Sequence, residues 1–242
     1  MNYLITIPAR LKSTRLPNKP LIKIKGKEIL LRTYERCLSA IKDSKKIVVA
    51  TDHEIIYNFC LQNNIQVIMT SESCLTGTDR ICEVANKFPA DVYINVQGDE
   101  PVLNPKDLIK LIKFVKKDPS KVYNGYAEIE DKKNYYSPNI PKVIFHPKTK
   151  LLMYISRAAI PSDKTFNFVK AWKQVCIYAY PRNALRAFSL SKKTPLEDIE
   201  DIEILRFLEL GYEVKMISLS GRGIAVDVPE DIKKVETYLD EN

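Results

Sequence analysis

The segment Tyr3-Leu4-Ile5-Thr6-Ile7-Pro8-Ala9-Arg10-Leu11-Lys12-Ser13-Thr14-Arg15-Leu16-Pro17-Asn18-Lys19-Pro20 decides how the rest of the chain is read. Its first five residues form an apolar run of the kind found in a buried parallel strand. The chain then enters a loop with four cations, two small hydroxyl side chains and three prolines. In open α/β sheets, ligands bind outside the carboxyl ends of the strands, which is where this loop lies. Its cations can neutralise a polyphosphate, and its hydroxyls and backbone N–H groups can cradle one. The prolines restrict the loop beforehand, so less entropy is lost on binding. An ordinary basic surface loop has the same composition, so the decision passes to the rest of the chain.

Outward from this segment, strand and helix patterns alternate. Strand-like runs at Lys46–Thr51, Gln66–Met69 and Val92–Val96 are separated by amphipathic stretches at Ile29–Ala40, Glu54–Gln62 and Asp79–Lys87. Such alternation predicts a parallel sheet with right-handed crossovers. Thr78 is the expected N-cap of the third helix, and Asn104 with Pro105 starts another over Lys106–Lys116. The second half is richer in strands: Val122–Ile129, Lys142–Phe145, Leu151–Ser156 and Lys173–Tyr180. Helices are expected at Ala184–Ser191, Glu197–Leu210 and Pro229–Leu239, with a strand at Glu213–Ile217. No linker or internal repeat divides the chain. The reading is a single α/β domain over residues 1–242: a mostly parallel sheet flanked by helices, with a small β-rich lobe at about 122–180 that could form a dimer surface.

Composition narrows the function classes. Among 242 residues, 45% are hydrophobic and 28% charged, as in a globular protein with a full core. No apolar run approaches the roughly 18–20 residues of a membrane span, and no secretory signal is recognisable. A cytoplasmic protein without a membrane partner is expected. Five scattered cysteines and two histidines make a zinc site unexpected. The net charge of +8 suits anionic ligands. No stripe of interleaved aromatics and cations accompanies it, so a nucleic-acid partner is not expected.

Three further motifs carry chemistry. Val96-Gln97-Gly98-Asp99-Glu100-Pro101 follows a strand, and Asp99 there could hold Mg²⁺, which takes one or two carboxylates plus phosphate oxygens and water. A turn with an Asp before the next helix is the plainer alternative. Asp227, in Val226-Asp227-Val228-Pro229-Glu230-Asp231, either caps the last helix or joins Asp99 to make a metal site. Leu75-Thr76-Gly77-Thr78-Asp79-Arg80 leads into a helix N-terminus, which either binds an anion or is simply capped. Neither a Walker motif nor Gly-x-Gly-x-x-Gly occurs, so standard P-loop and dinucleotide enzymes are unsupported.

In order, Ile7-Pro8-Ala9-Arg10, Ser13-Thr14-Arg15-Leu16-Pro17, Lys19-Pro20-Leu21, Val49-Ala50-Thr51-Asp52, Thr76-Gly77-Thr78-Asp79-Arg80, Asn95-Val96-Gln97-Gly98-Asp99-Glu100-Pro101, Ser156-Arg157-Ala158, Ile160-Pro161, Pro195-Leu196-Glu197 and Val226-Asp227 are found along the chain. This set resembles the CMP-Kdo synthetases, the 3-deoxy-manno-octulosonate cytidylyltransferases, from residue 4 to about 236. The resemblance implies a sugar nucleotidyltransferase fold, Mg²⁺ as cofactor, CTP and an anionic sugar acid as substrates, and a homodimer. It implies that Arg10, Ser13 and Lys19 contact the triphosphate. Pro8, Ala9, Thr76, Gly77 and Arg80 would surround the cytosine and ribose. Asp99 and Asp227 would bind Mg²⁺, so that Arg10, Lys19, Asp99 and Asp227 form the catalytic set. Gln97, Arg157, Gln174, Tyr178 and Glu203 would face the sugar acid, with Arg157 on its carboxylate.

Two positions depart from the family pattern. Where the family commonly reads His-Leu-Gly-Ile-Tyr, this chain has Gln174-Val175-Cys176-Ile177-Tyr178. Where it commonly reads Glu-Gln-Leu-Arg, this chain has Glu203-Ile204-Leu205-Arg206. Gln174 keeps hydrogen-bonding capacity without charge, and Ile204 has neither. The expectation is a less polar wall at the far end of the sugar. The substrate is then the eight-carbon acid Kdo or a relative altered at a hydroxyl; a different eight- or nine-carbon ulosonic acid stays open. So does a non-catalytic nucleotide- or nucleic-acid-binding protein.

Overall fold

β1 (Tyr3–Ala9) is buried along its whole length, and its side chains alternate between two cores. Tyr3, Ile5, Ile7 and Ala9 enter one, and Leu4 enters the other. The same period of two runs through the strands Ile47–Thr51 and Val92–Val96, as a strand covered on both faces requires. The structure is a computed structural model and describes residues 1–12 and 15–241. Ser13, expected on the triphosphate, lies outside the described residues.

The elements follow in order: β2 (Lys23–Ile24), β3 (Lys27–Glu28), α1 (Ile29–Ile41), β4 (Ile47–Thr51), α2 (Glu54–Gln62), β5 (Val67–Met69), α3 (Gly77–Lys87), β6 (Val92–Val96) and α4 (Pro105–Lys117). Then come β7 (Val122–Ile129), α5 (Lys132–Tyr136), β8 (Lys142–Phe145), β9 (Leu152–Ser156), β10 (Ala171–Pro181) and α6 (Arg182–Leu190). The chain closes with α7 (Pro195–Glu200), α8 (Ile204–Glu209), β11 (Val214–Ser218) and α9 (Pro229–Glu241). Among the described residues the main sheet runs β11-β7-β10-β6-β1-β4-β5, with β8 hydrogen-bonded to β10 and β9 to β8. β1 pairs in parallel with β4 and β6, β4 with β5, and β7 with β11; β10 is antiparallel to β6, β7 and β8. Helices α1, α2 and α4 pack on one face, through Tyr34, Ile56 and Leu111 among others. Helices α3, α6 and α8 pack on the other, through Ile81, Phe188 and Phe207.

The structure differs from the sequence reading at three places. The expected helix Glu197–Leu210 breaks into α7 and α8 because Asp201 takes a left-handed conformation, φ 51°. α3 starts earlier than expected: Thr76, not Thr78, is the N-cap, and a reciprocal capping box joins it to Asp79. The strand-rich segment at 122–180 is not one separate unit. β7 and much of β10 are interior strands of the main sheet, and β8 with β9 extends from β10.

Candidate functional site

The loop after β1, the turn after β6, the start of α3 and the segment before α9 meet at the carboxyl end of β1 and β6. Two backbone features bring them together. The Val226 N–H donates to Asp99 O at 2.9 Å, which sets Asp227 beside Asp99. Gly98 lies so near β1 that a Cβ there would sit 2.8 Å from Pro8 O. Gly98 thus serves the approach of two backbone segments. Leu16 buries itself with Val102 and Val226, anchoring the cationic loop over the turn.

These segments enclose a crevice of about 300 Å³. Pro8, Ala9, Arg10, Lys19, Thr76, Gly77 and Arg80 line it, as do Gln97, Asp99, Glu203 and Asp227. The Lys19 ammonium donates to Asp99 Oδ2 at 2.5 Å and to Asp227 Oδ1 at 3.0 Å. Arg15 Nη2 reaches the same Asp227 oxygen at 3.2 Å. Burial pushes the Lys19 pKa down, but the two carboxylates outweigh it and leave it above the usual lysine value. Asp227 does not cap α9. Its own N–H and that of Val228 donate to Asp231 Oδ2, at 3.1 and 3.2 Å. Two carboxylates therefore converge on one cation. Among the described residues, no set of three or more His, Cys, Asp or Glu side chains could hold a metal ion.

The start of α3 is not an open anion site. The Glu203 carboxylate already accepts from Gly77 N at 3.3 Å, Thr78 N at 2.9 Å and the Thr78 hydroxyl. Burial raises the Glu203 pKa, and these donors pull against that rise. Arg80 is also engaged: Nη2 donates to Asp52 Oδ2 at 2.9 Å and Nη1 to Thr70 Oγ1 at 2.5 Å. It forms a fixed wall of the crevice, whereas Arg10 stands exposed at its mouth.

A second cavity of about 460 Å³ adjoins the first and shares Arg15 and Asp227 with it. Glu100, Lys173, Gln174 and Cys176 line it, together with the Gly221–Val228 segment and the 137–141 loop. Gln174 Nε2 donates to Asn124 Oδ1 at 3.0 Å. Burial, then Asp99 and Asp227, push the Glu100 pKa up to about 8. Gly223 passes close above it; a Cβ there would meet Glu100 Oε2 at 2.8 Å.

Three positions expected beside the sugar lie away from both cavities. Arg157 lines neither cavity. Its guanidinium is spent on backbone carbonyls: Nε to Glu200 O at 2.6 Å, Nη1 to Pro138 O at 3.0 Å and Nη2 to Asp201 O at 3.0 Å. Tyr178 is buried against Tyr180, ring centroids 5.8 Å apart, and also lines neither cavity. Burial, then its neighbour Cys176, hold its hydroxyl well above the usual tyrosine value. A register shift in β10 between Val175 and Tyr178 separates it from Gln174. Asn124 Nδ2 satisfies the carbonyls of Val175 and Ile177 there. Ile204 is 1% exposed within the core, so it forms no wall for a ligand.

Arg15, Glu100 and Lys173 border these cavities, although the motifs did not mark them as site residues. Arg15 was visible as one of the loop's four cations. Glu100 and Lys173 are neighbours of Asp99 and Gln174, but nothing in their spacing tells which way they point.

Comparison with known proteins places this arrangement. Residues 4–217 match the family model described as cytidylyltransferase. A protein of Protochlamydia amoebophila named 3-deoxy-manno-octulosonate cytidylyltransferase is 40% identical, over 96% of this chain and 92% of its own length. One of Shewanella halifaxensis named 8-amino-3,8-dideoxy-manno-octulosonate cytidylyltransferase is 36% identical, over 99% of both. The solved structure of a CMP:2-keto-3-deoxy-manno-octonic acid synthetase complexed with CTP superposes with a TM-score of 0.92 at 33% identity. It covers 100% of this chain and 99% of its own.

Proposed function

We propose that this chain, which belongs to the cytidylyltransferase family, transfers CMP from CTP to a 2-keto-3-deoxy sugar acid, most simply Kdo, and releases pyrophosphate. The observation that carries the reading is the meeting of Lys19, Asp99 and Asp227 where the two cavities join. The crevice takes the nucleotide: Pro8, Ala9, Thr76, Gly77 and Gln97 bound the base and ribose, while Arg10 and Lys19 meet the phosphates. The adjoining cavity takes the sugar acid. With Arg157 committed elsewhere, Lys173 and Arg15 are the cations suited to its carboxylate, and Gln174 to a hydroxyl.

The reaction balances as one displacement. The anomeric hydroxyl oxygen bonds to the α-phosphorus of CTP and loses its proton, the bond from that phosphorus to the β-phosphate bridge breaks, and pyrophosphate departs. Arg10 and Lys19 neutralise charge that grows on the departing group. Asp99 and Asp227 suit Mg²⁺, because their hard oxygens already converge on a cation. When bound, that ion supplies Lewis-acid charge neutralisation on the phosphate oxygens. Lys19 also keeps the two carboxylates from repelling each other before the substrate arrives.

The product, an activated sugar, is the donor for surface polysaccharide synthesis. A cytoplasmic location fits five unpaired thiols. Among the described residues no helix is long and apolar enough to cross a membrane. A homodimer fits Tyr136, Met153, Phe166 and Val169, which stand 51%, 63%, 77% and 74% exposed in the strand-rich segment. Sedimentation is expected to give twice the mass of the chain. Pyrophosphate release from CTP and Mg²⁺ with Kdo or 8-amino-Kdo tests the activity. If neither acid, nor any nine-carbon ulosonic acid, gives release, the reading fails.

A further inference from the structure

Outside both cavities lies a set of charged groups, one buried and two half-buried, that the reaction does not use. Lys142, at the start of β8, is fully buried, and its ammonium donates to Ser137 O at 2.9 Å and Arg157 O at 2.5 Å. Glu200, at the end of α7, accepts from Arg157 N at 2.8 Å, the Ser156 hydroxyl at 2.5 Å and the Tyr154 hydroxyl at 3.3 Å. Between them the Arg157 guanidinium spans Pro138 O on one side and Glu200 O and Asp201 O on the other. Each end of this span leads to a cavity. Ser137 and Asn139, flanking Pro138, line the second cavity, while Asp201 and Glu203 line the crevice.

Burying an ammonium is costly, and an apolar side chain of similar volume would hold β8 to β9 as well. The charged groups add direction, since each donor or acceptor fixes one backbone atom. Asp201 sits in a left-handed conformation at the break between α7 and α8, so the guanidinium on its carbonyl holds the turn that carries Glu203. Glu203 in turn holds the start of α3.

We propose that Lys142, Arg157 and Glu200 form a clamp that positions one wall of each cavity together. The sites for nucleotide and sugar acid are then set by one network, and Arg157 is a positioning residue with no contact to the substrate. The inference rests on the proposed function, since its test uses both substrates.

The test measures KM for CTP and for the sugar acid, with kcat, in Glu200→Ala, Arg157→Lys and Lys142→Met. Glu200 and Lys142 line neither cavity, and Arg157→Lys keeps the charge but loses the planar fork. Both KM values are expected to rise by about tenfold in each variant, as for lost charge-assisted hydrogen bonds, with kcat at saturation within about twofold. Arg157→Lys/Glu200→Ala is expected to add little to either single change. A rise in the sugar acid's KM alone, seen only in Arg157→Lys, would mean that the guanidinium meets the substrate, and the clamp would be wrong. Lower stability with both KM values unchanged would reduce the network to a staple and also overturn it. If Lys142→Met does not fold, the other two variants decide. No turnover in the parent enzyme would instead defeat the proposed function.

Discussion

The crevice takes most of its walls from segments that directly follow parallel strands: Arg10 and Lys19 after β1, Gln97 and Asp99 after β6. The second cavity is assembled differently. Its walls come from the first residues of β10, the 137–141 loop and the Gly221–Val228 segment, which lie far apart in sequence. Strand ends in a parallel sheet have fixed directions, so a motif there leads its side chains to one edge. A shifted antiparallel strand and two long connections have no such constraint, and their side chains are placed by tertiary packing. The two regions should therefore respond differently to substitution: chemistry lost on one side, affinity or selectivity on the other.

The largest effect belongs to the boundary they share. Asp99→Asn and Asp227→Asn are each expected to lower kcat by on the order of a thousandfold, the loss of a hard anionic ligand and several kcal/mol of charge stabilisation. Their folds should persist, because α9 is held by Asp231. Steady-state kinetics beside thermal unfolding checks both halves of the claim. Near-normal turnover in Asp227→Asn would remove the metal role from that residue.

Next is the outer wall of the crevice, fastened from behind. Arg206 meets Glu197 through Nε at 2.5 Å and Nη2 at 2.6 Å, with both residues buried. Glu197→Ala leaves the guanidinium only the more distant Asp79 carboxylate, at 3.7 Å, and the Phe188 carbonyl, at 3.4 Å, and about 3–5 kcal/mol of stability should be lost in urea unfolding. This ion pair is the structural content of the Pro195-Leu196-Glu197 motif. A loss below about 1 kcal/mol, the level of an exposed pair, would show that α7 is not fastened this way.

A smaller and more selective effect separates the cavities. Lys173→Met should raise KM for the sugar acid by about tenfold, the cost of one charge-assisted contact, and leave KM for CTP unchanged. Equal changes in both would mean that Lys173 does not serve the second cavity alone.

The same contrast explains what could be read in advance. The alternation of strands and helices and the place of Asp99 follow from local patterns, because β1, β4 and β6 carry apolar runs and motifs at their ends; Asp227 reaches Asp99 only through the long-range bond from Val226 N–H to Asp99 O. The break at Asp201 was hidden, since apolar periodicity continues through it from Ile199 to Leu205. Glu203, expected to face the sugar acid, lines the first crevice, and its occupation of the α3 N-terminus depends on a contact across 125 residues. Arg157, expected on the sugar's carboxylate, meets backbone carbonyls for a similar reason. A guanidinium suits a carboxylate and a set of carbonyls equally well, and only the fold decides which it meets.

The smallest expected effect concerns the two departures from the family pattern, which the structure separates. Gln174 borders the second cavity, so Gln174→His introduces a group that can carry charge there. The ratio of kcat/KM for Kdo to that for 8-amino-Kdo should rise about threefold to tenfold, within the range of one altered polar contact. Ile204 faces the core. Ile204→Gln should leave that ratio within about twofold while costing about 1–3 kcal/mol for a buried amide without a planned partner. Comparing the single variants is therefore sharper than restoring both positions together. Selectivity should follow residue 174 and stability residue 204. If Ile204→Gln changes the ratio as much as Gln174→His does, the α8 side of the molecule also touches the sugar, and the division between the two regions fails.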